Sequence, residues 1–341
     1  MNNQNLLQLL SQTNGISGDE SAVREIIVEQ IKDFATEYHT DSMGNLIVFK
    51  KGRKTPDKKL LISAHMDEVG FIVTHITQDG YLKFDEVGGI DRRVVMGKSV
   101  TVGKDINGVI IAEPMHLLSG EQKNTIPKYD RMYIDIGATD RNEAQQYVTL
   151  GDSIQFDSQF DWNNGIITGK ALDDRVGCFI LVNMIQSELE YDMYFSFVVQ
   201  EEVGLRGAKC VSYAVNPDFA IVVEATTAGD IPDVAEEKQV CYVGEGAVIS
   251  FMDRRTIYDK ALVQSAMECA DSQTKVQYKQ AVAGGNDAGA IQSSRDGVRV
   301  LAVSLPCRYL HSNCSLIAES DLISVQNVVN KMAVKILGEE L

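Results

Sequence analysis

A stretch that is apolar on both faces of a strand belongs inside a sheet covered on both sides, and residues 60–64 (LLISA) read that way. His65 follows directly, and Asp67 stands two positions further on. The same pattern recurs along the chain. YFSFVVQ runs into Glu201 and Glu202, FAIVV runs into Glu224, and the run over 298–305 leads to His311 in RYLHS. GKALDDRVG adds Asp173 and Asp174 ahead of a helical pattern. In open α/β sheets ligands gather outside the carboxyl ends of the strands. If these runs are neighbours in one sheet, two imidazoles and several carboxylates converge there. Each feature alone is ambiguous, because a lone histidine is usually satisfied or solvated and acidic pairs usually sit on solvated faces. Repetition at strand ends is what argues for a site.

The sequence between these runs sets the domain layout. Ser17 and Glu20 have the spacing of a capping box ahead of Val23, Ile26, Ile27, Ile31 and Phe34, which predicts a helix. A strand is expected over 46–49, followed by the basic KKGRKTPDKK as an exposed hairpin connection. From about residue 72 to 160, short β-rich pieces such as FIVTHITQDGYLKF and GKSVTVGKDINGVIIAE alternate with Gly/Asp turns and predict a small partial barrel. Beyond Gly169 the α/β alternation resumes. A helix follows Asp174 through Val176, Phe179, Ile180, Asn183 and Met184, and strands are expected over 194–199, 219–223 and 298–305. An amphipathic helix closes the chain from about 321 to 336. The expected domains are 1–71 together with 161–341, and an inserted 72–160.

Charge and cysteine usage narrow the function classes. A formal net charge of −16 argues against nucleic acid or an anionic membrane as partner, and suits a carboxylate-lined site that attracts cations. No apolar stretch approaches the roughly 20 residues of a membrane span. MNNQNLLQLLSQTNG lacks the basic start and small-residue cleavage site of a secretory signal, so a cytoplasmic protein is expected. The six cysteines contain no C-x-x-C pair and read as reduced thiols, neither a disulfide framework nor a thiolate metal site.

Nitrogen and carboxylate donors without thiolate suit Zn²⁺, Co²⁺ or Mn²⁺. A single catalytic zinc needs only three protein ligands, so the larger set predicts two divalent ions per subunit, each with a histidine and a carboxylate, plus one carboxylate shared. Adjacent side chains of extended backbone point opposite ways. One of Glu201 and Glu202 can therefore bind metal while its neighbour stands off as general base.

HMDEVG, ALDDRVG, EEVGLRGA, VVEAT, GGNDAGAIQ and RYLHS, in this order, resemble the glutamyl and deblocking aminopeptidases, a family of cobalt- or zinc-dependent dinuclear metallopeptidases that form tetrahedral dodecamers. The resemblance covers essentially the whole chain. It implies an α/β fold, a mixed-sheet three-layer α/β/α peptidase domain interrupted by a small β-barrel-like insertion that mediates assembly of dimers into a homo-oligomeric dodecamer. It also implies that His65 binds one metal and His311 the other, that Asp173, whose bond to Asp174 is often cis in related enzymes, bridges both, and that Glu202 and Glu224 complete the set. Many relatives carry Asp where this chain has Glu224. By the same resemblance Glu201 would be the general base, and Asp67 would orient His65 through its second ring nitrogen. Asp173 and Asp174 beside Arg175 also read as a helix N-cap.

The expected activity is removal of N-terminal residues from peptides, with Glu/Asp or neutral residues such as Leu preferred. Arg254 and Arg255 would meet an acidic substrate side chain or form an exposed salt-bridging pair. Asn286 and Asp287 lie in a turn that the resemblance puts near the substrate pocket. The alternatives are another two-metal hydrolase of the same fold (dipeptidase, carboxypeptidase or deacylase), a non-catalytic metal-binding scaffold, or a glycosidase using Asp173 and Glu201, which would leave His65 and His311 without a task.

Overall fold

Eight strands make one mixed sheet in the order Glu37–Thr40, Leu46–Lys50, Met193–Val198, Leu60–His65, Phe219–Thr227, Arg299–Cys307, Ala247–Ile249, Val276–Tyr278. The computed structural model describes residues 3–338 and 341. The four central strands run parallel, and Leu60–His65 is buried at every position, as its two-faced apolar sequence requires. Parallel neighbours share a direction, so His65 and Glu224 emerge at the same edge, together with the turn after Val198 and the loop after Cys307.

Helices complete the three-layer α/β/α arrangement. Leu172–Gln186 packs on the strands Leu60–His65 and Phe219–Thr227 and is covered in turn by the helices Asn3–Gln12 and Ser21–Ile31. Enclosure on nearly all sides explains why LVNMI and its neighbours show no polar face. The closing helix Glu319–Gly338 packs on the sheet beside it, while Arg206–Val215 and Ala288–Gln292 pack on each other and on the central strands.

Two local expectations are corrected. The basic segment after Lys50 is not a hairpin, because Met193–Val198 lies between Leu46–Lys50 and Leu60–His65 and pairs with both. The Ser17/Glu20 capping box does not form either. The helix starts at Ser21 behind Glu20, which makes no side-chain capping bond, and Ser17 Oγ donates instead to Asp67. Phe34 falls beyond that helix and is exposed. The helix Asn3–Gln12 was not expected from the sequence, although Leu6, Leu7 and Leu10 carry its buried stripe.

Between the strand ending at His65 and the short antiparallel sheet Asp161–Asn163, Ile166–Gly169, Ser315–Ala318 lies a barrel. Its six strands close completely in the order Gly70–Ile76, Leu82–Val87, Met132–Asp135, Ile106–Ala112, Ser99–Val102, Ser153–Phe156, where strand spacing alone suggested a partial barrel. Closure removes free edges. The barrel has its own core, in which Phe71 meets Phe84 and Phe156 edge-on with ring centroids 5.0 and 5.4 Å apart.

Candidate metal centre

Two imidazoles face one carboxylate. His65 Nε2 lies 3.2 Å from Asp173 Oδ1 and 3.3 Å from Glu224 Oε1. His311 Nε2 lies 3.3 Å from Asp173 Oδ2 and 3.2 Å from Glu202 Oε1. The other ring nitrogens are fixed from behind. His65 Nδ1 meets the Asp67 carbonyl at 3.0 Å and its carboxylate at 3.5 Å, so the main chain of Asp67 makes the nearer contact. His311 Nδ1 meets the Gly89 carbonyl at 2.9 Å. A carbonyl oxygen only accepts, so each Nδ1 carries a proton, and each Nε2 faces carboxylates that keep it protonated in the stripped site and leave its lone pair for a cation once that proton is shed. Acceptors facing acceptors require a positive charge between them. The donor set therefore fits divalent cations, and His65, Asp173 and Glu202, like His65, Asp174 and Glu224, lie close enough to share one.

Local sequence explains the positions. Asp173 and Asp174 are joined by a cis peptide bond, and both depart from helical backbone at the start of Leu172–Gln186. Asp174 turns inward: its carboxylate accepts from the backbone N–H of Gly177 at 2.9 Å and of His65 at 3.3 Å. It caps the helix, as the N-cap reading held, and a side chain at Gly177 would collide with it. Glu201 and Glu202 lie in a turn, not in extended chain, so strand alternation is not what separates them. Gln200 enters that turn with φ of 58°. The buried Asp67 carboxylate accepts from Glu201 N at 3.0 Å, Glu202 N at 3.1 Å and Ser17 Oγ at 2.6 Å. Glu202 thus reaches His311, whereas the Glu201 side chain makes no hydrogen bond among the described residues and lines the open cavity.

Acting on one another alone, these groups shift strongly. Burial works against a charged His311, but Asp173 and Glu202 outweigh it and lift its pKa to about 11. Burial likewise opposes a charged His65, and Glu224, Asp173 and Asp67 hold it well above its ordinary value. Burial lifts Glu224 to about 8, with His65 opposing and Asp173 adding. Burial also pushes Glu201 well up; His65 opposes it, while Glu224, Asp287 and Glu202 add to it. Asp173 moves the other way: desolvation is outweighed by the two imidazoles, which hold it far below the carboxylate range.

A cavity of about 470 Å³ opens from the cluster. Asp173, Glu201, Glu202, Glu224 and His311 line one side of it, and Arg254, Arg255 and Lys279 bring positive charge to it. Lys279 is buried; its Nζ donates to the Ala283 carbonyl at 2.9 Å, and no carboxylate lies within 4 Å of it among the described residues. Burial lowers its pKa. Nothing in VQYKQ distinguishes this residue from a surface lysine, so the sequence gives no sign of its place in the cavity. Arg254 and Arg255 are not the salt-bridging pair considered above: neither is ion-paired among the described residues, and Arg255 packs on Gly285 and Gly289, where any side chain would collide with it. Asn286 lines the cavity, but Asp287 does not; it is buried, both its carboxylate oxygens lack a hydrogen-bond partner among the described residues, and burial pushes its pKa to about 7.

Residues 44–328 match the family model described as M42 glutamyl aminopeptidase. The chain belongs to that family. A lysyl aminopeptidase of Pyrococcus furiosus is 32% identical over 98% of this chain and 96% of its own length. The crystal structure of a TET aminopeptidase from a marine sediment Thaumarchaeota archaeon superposes with a TM-score of 0.93 at 33% identity, covering 98% of this chain and 96% of that one. The TET1 peptidase of Pyrococcus horikoshii, which assembles into a tetrahedron or a large octahedral shell, superposes at 0.84 with 35% identity over 96% and 98%. As a member of the M42 family this chain is an aminopeptidase, a peptide hydrolase that depends on divalent metal. No helix among the described residues is long and apolar enough to cross a membrane.

Proposed function

We propose a two-cation aminopeptidase in which His65 and Glu224 hold one divalent ion, His311 and Glu202 hold a second, and Asp173 is shared. The observation that carries this reading is Asp173, with one oxygen beside each imidazole. All-nitrogen-and-oxygen donors suit Zn²⁺, Co²⁺ or Mn²⁺. When bound, such ions polarise a scissile carbonyl and acidify water. Glu201, free of hydrogen bonds at the cavity wall, takes a proton from the attacking water and returns it to the leaving amine. Its raised pKa suits that return.

The preferred N-terminal residue is acidic. Arg254, Arg255 and Lys279 supply positive charge to a cavity whose other polar wall is carboxylate, and the buried Lys279 has room for an anionic partner. A relative named for lysine shows that membership alone does not fix the preference. The barrel, whose first strand starts at Gly70, two residues ahead of the expected 72–160 insertion, is the assembly module of a cytoplasmic homo-oligomer built from dimers into a dodecamer, as the TET1 relative's tetrahedron suggests.

Three measurements test these statements. Dialysis against a chelator should abolish hydrolysis, and Co²⁺ or Zn²⁺ should restore it; activity that survives would sink the metal mechanism. Glu201→Gln should retain both ions and lose about 10²- to 10⁴-fold in kcat, the usual span for general acid–base catalysis. Normal turnover in that variant would remove Glu201 from the role. Aminoacyl-p-nitroanilides of Glu, Asp, Leu, Lys and Ala should rank acidic residues first, and Lys279→Met should erase the ranking.

A further inference from the structure

We propose that residues 16–20 clamp the catalytic turn, with Ser17 and Glu20 as positioning residues for Glu201 and Glu202; this rests on the roles given to those two glutamates above. Ser17 and Glu20 are spaced to cap a helix, yet neither caps one. Both reach the site instead. Ser17 Oγ donates at 2.6 Å to Asp67 Oδ2, the same oxygen that accepts the Glu202 N–H. Glu20 is buried and its Oε1 accepts from Gly18 N at 2.7 Å and from Gln200 N at 3.2 Å. Gln200 is the residue whose left-handed backbone opens the turn, a conformation that persists only where the surroundings impose it. Asp67 and Glu20 therefore hold three successive N–H groups of residues 200–202 with two carboxylates.

The clamp is itself anchored. Gly15 and Ser17 pair with Glu68 through main-chain bonds of 3.0 and 3.3 Å, and Asp19 accepts from Ser153 Oγ of the barrel at 2.6 Å. One short loop thus joins the strand end at His65, the barrel and the turn that aims Glu201. It lies outside the stretch matched by the family model, which begins at residue 44. None of its residues lines the substrate cavity.

That separation sets the kinetic signature. A looser turn misplaces Glu201 but leaves Arg254, Arg255, Lys279 and Asn286 of the cavity wall in place, so kcat should fall more than KM changes. Ser17→Ala and Glu20→Ala, assayed in the full-length cation-loaded enzyme, should lose between about 10- and 100-fold in kcat, the scale expected for a misplaced catalytic group. KM should stay within about twofold, and at saturating cation both ions should remain bound. Ser17→Thr and Glu20→Gln, which keep the donor and the acceptor, should recover most of the loss. Wild-type kcat in both alanine variants, a KM that rises in step, or no recovery in the conservative variants would overturn the clamp. If Glu20→Ala fails to fold, Ser17→Ala decides, since it removes one oxygen from a half-buried residue. Glu201→Gln run alongside separates the failures. Normal turnover there overturns the general-base role whatever the clamp variants do, whereas an inactive Glu201→Gln beside normal alanine variants at Ser17 and Glu20 overturns the clamp alone.

Discussion

The two halves of the proposed two-cation centre hold their acids alike and their histidines differently. Glu224 and Glu202 have side chains 7% and 5% exposed. His65, at 1%, ends an internal strand and is backed by Asp67, whose carboxylate is fixed by three donors. His311, at 35%, sits on a loop with φ of 58° and is backed by Gly89, a carbonyl in the barrel region. One half is formed by the sheet, and the other is completed only where the barrel meets the peptidase domain. Preorganised ligands lose less freedom on binding. The His65 half should therefore hold its ion more tightly, and the His311 half should exchange first.

The largest effect should come from the residue that belongs to both halves. Asp173→Ala is expected to cost at least about 10³-fold in kcat, because the charge stabilisation of both cations goes with it. Metal analysis should find both ions depleted. Loss of one ion only would mean that Asp173 serves a single half. Next in size is the asymmetry itself. Asp67→Asn keeps the main-chain carbonyl behind His65 but removes the carboxylate charge 3.5 Å from Nδ1, so it should weaken the His65-side ion by about 10-fold, the low end of the cost of losing a group behind a ligand. His311→Ala should still bind close to one ion per subunit. Stepwise chelation followed by elemental analysis orders the two sites in the wild type, and an ion that leaves the His65 half first would break the comparison.

How legible each half was follows from how local its causes are. His65, Glu201, Glu202 and Glu224 could be read directly, because each ends or follows an apolar run and parallel strands carry their ends to one edge. His311 followed the same pattern at one remove, in a loop. What failed was everything set by partners distant in sequence. Ser17 and Glu20 satisfy the spacing of a cap, but spacing does not reveal that Asp67 and Gln200 stand nearer than the helix end. The supposed hairpin after Lys50 depended on a strand that arrives only at Met193. Arg175 looked like part of a helix start, yet it is buried and spends its guanidinium on the carbonyls of Met66, Leu10, Thr13 and Gly15 and on Glu68. Lys279 carried no signal at all, since neither its burial nor its bond to the Ala283 carbonyl leaves a mark in VQYKQ.

The smallest effect, and the one that separates the halves by chemistry, is the pH dependence of the stripped protein. His311 is lifted from an ordinary 6.5 to about 11. The stability it contributes is fully present below 6.5 and is lost as pH rises towards 11. Glu224 is lifted from 4.5 to about 8, so above 4.5 the unfolded chain ionises first and stability falls until about pH 8. Both shifts run the same way. Asp173, shifted down, matters only below its ordinary 3.8. Chelated protein should therefore melt at lower temperature as pH is raised from about 5 to 9. Loaded protein should resist that fall, because the imidazoles and carboxylates must shed their protons to hold cations. Calorimetry should show the gap between loaded and stripped melting temperatures widening by several degrees over that range, roughly the shift of a kcal/mol or two in a domain of this size. In His311→Gln the widening above pH 6.5 should shrink, what remains there being owed to His65 and Glu224, while the part between 5 and 6.5, owed to Glu224 in the buried half, persists. A gap that narrows with pH would mean that the two imidazoles do not share their protons with these carboxylates.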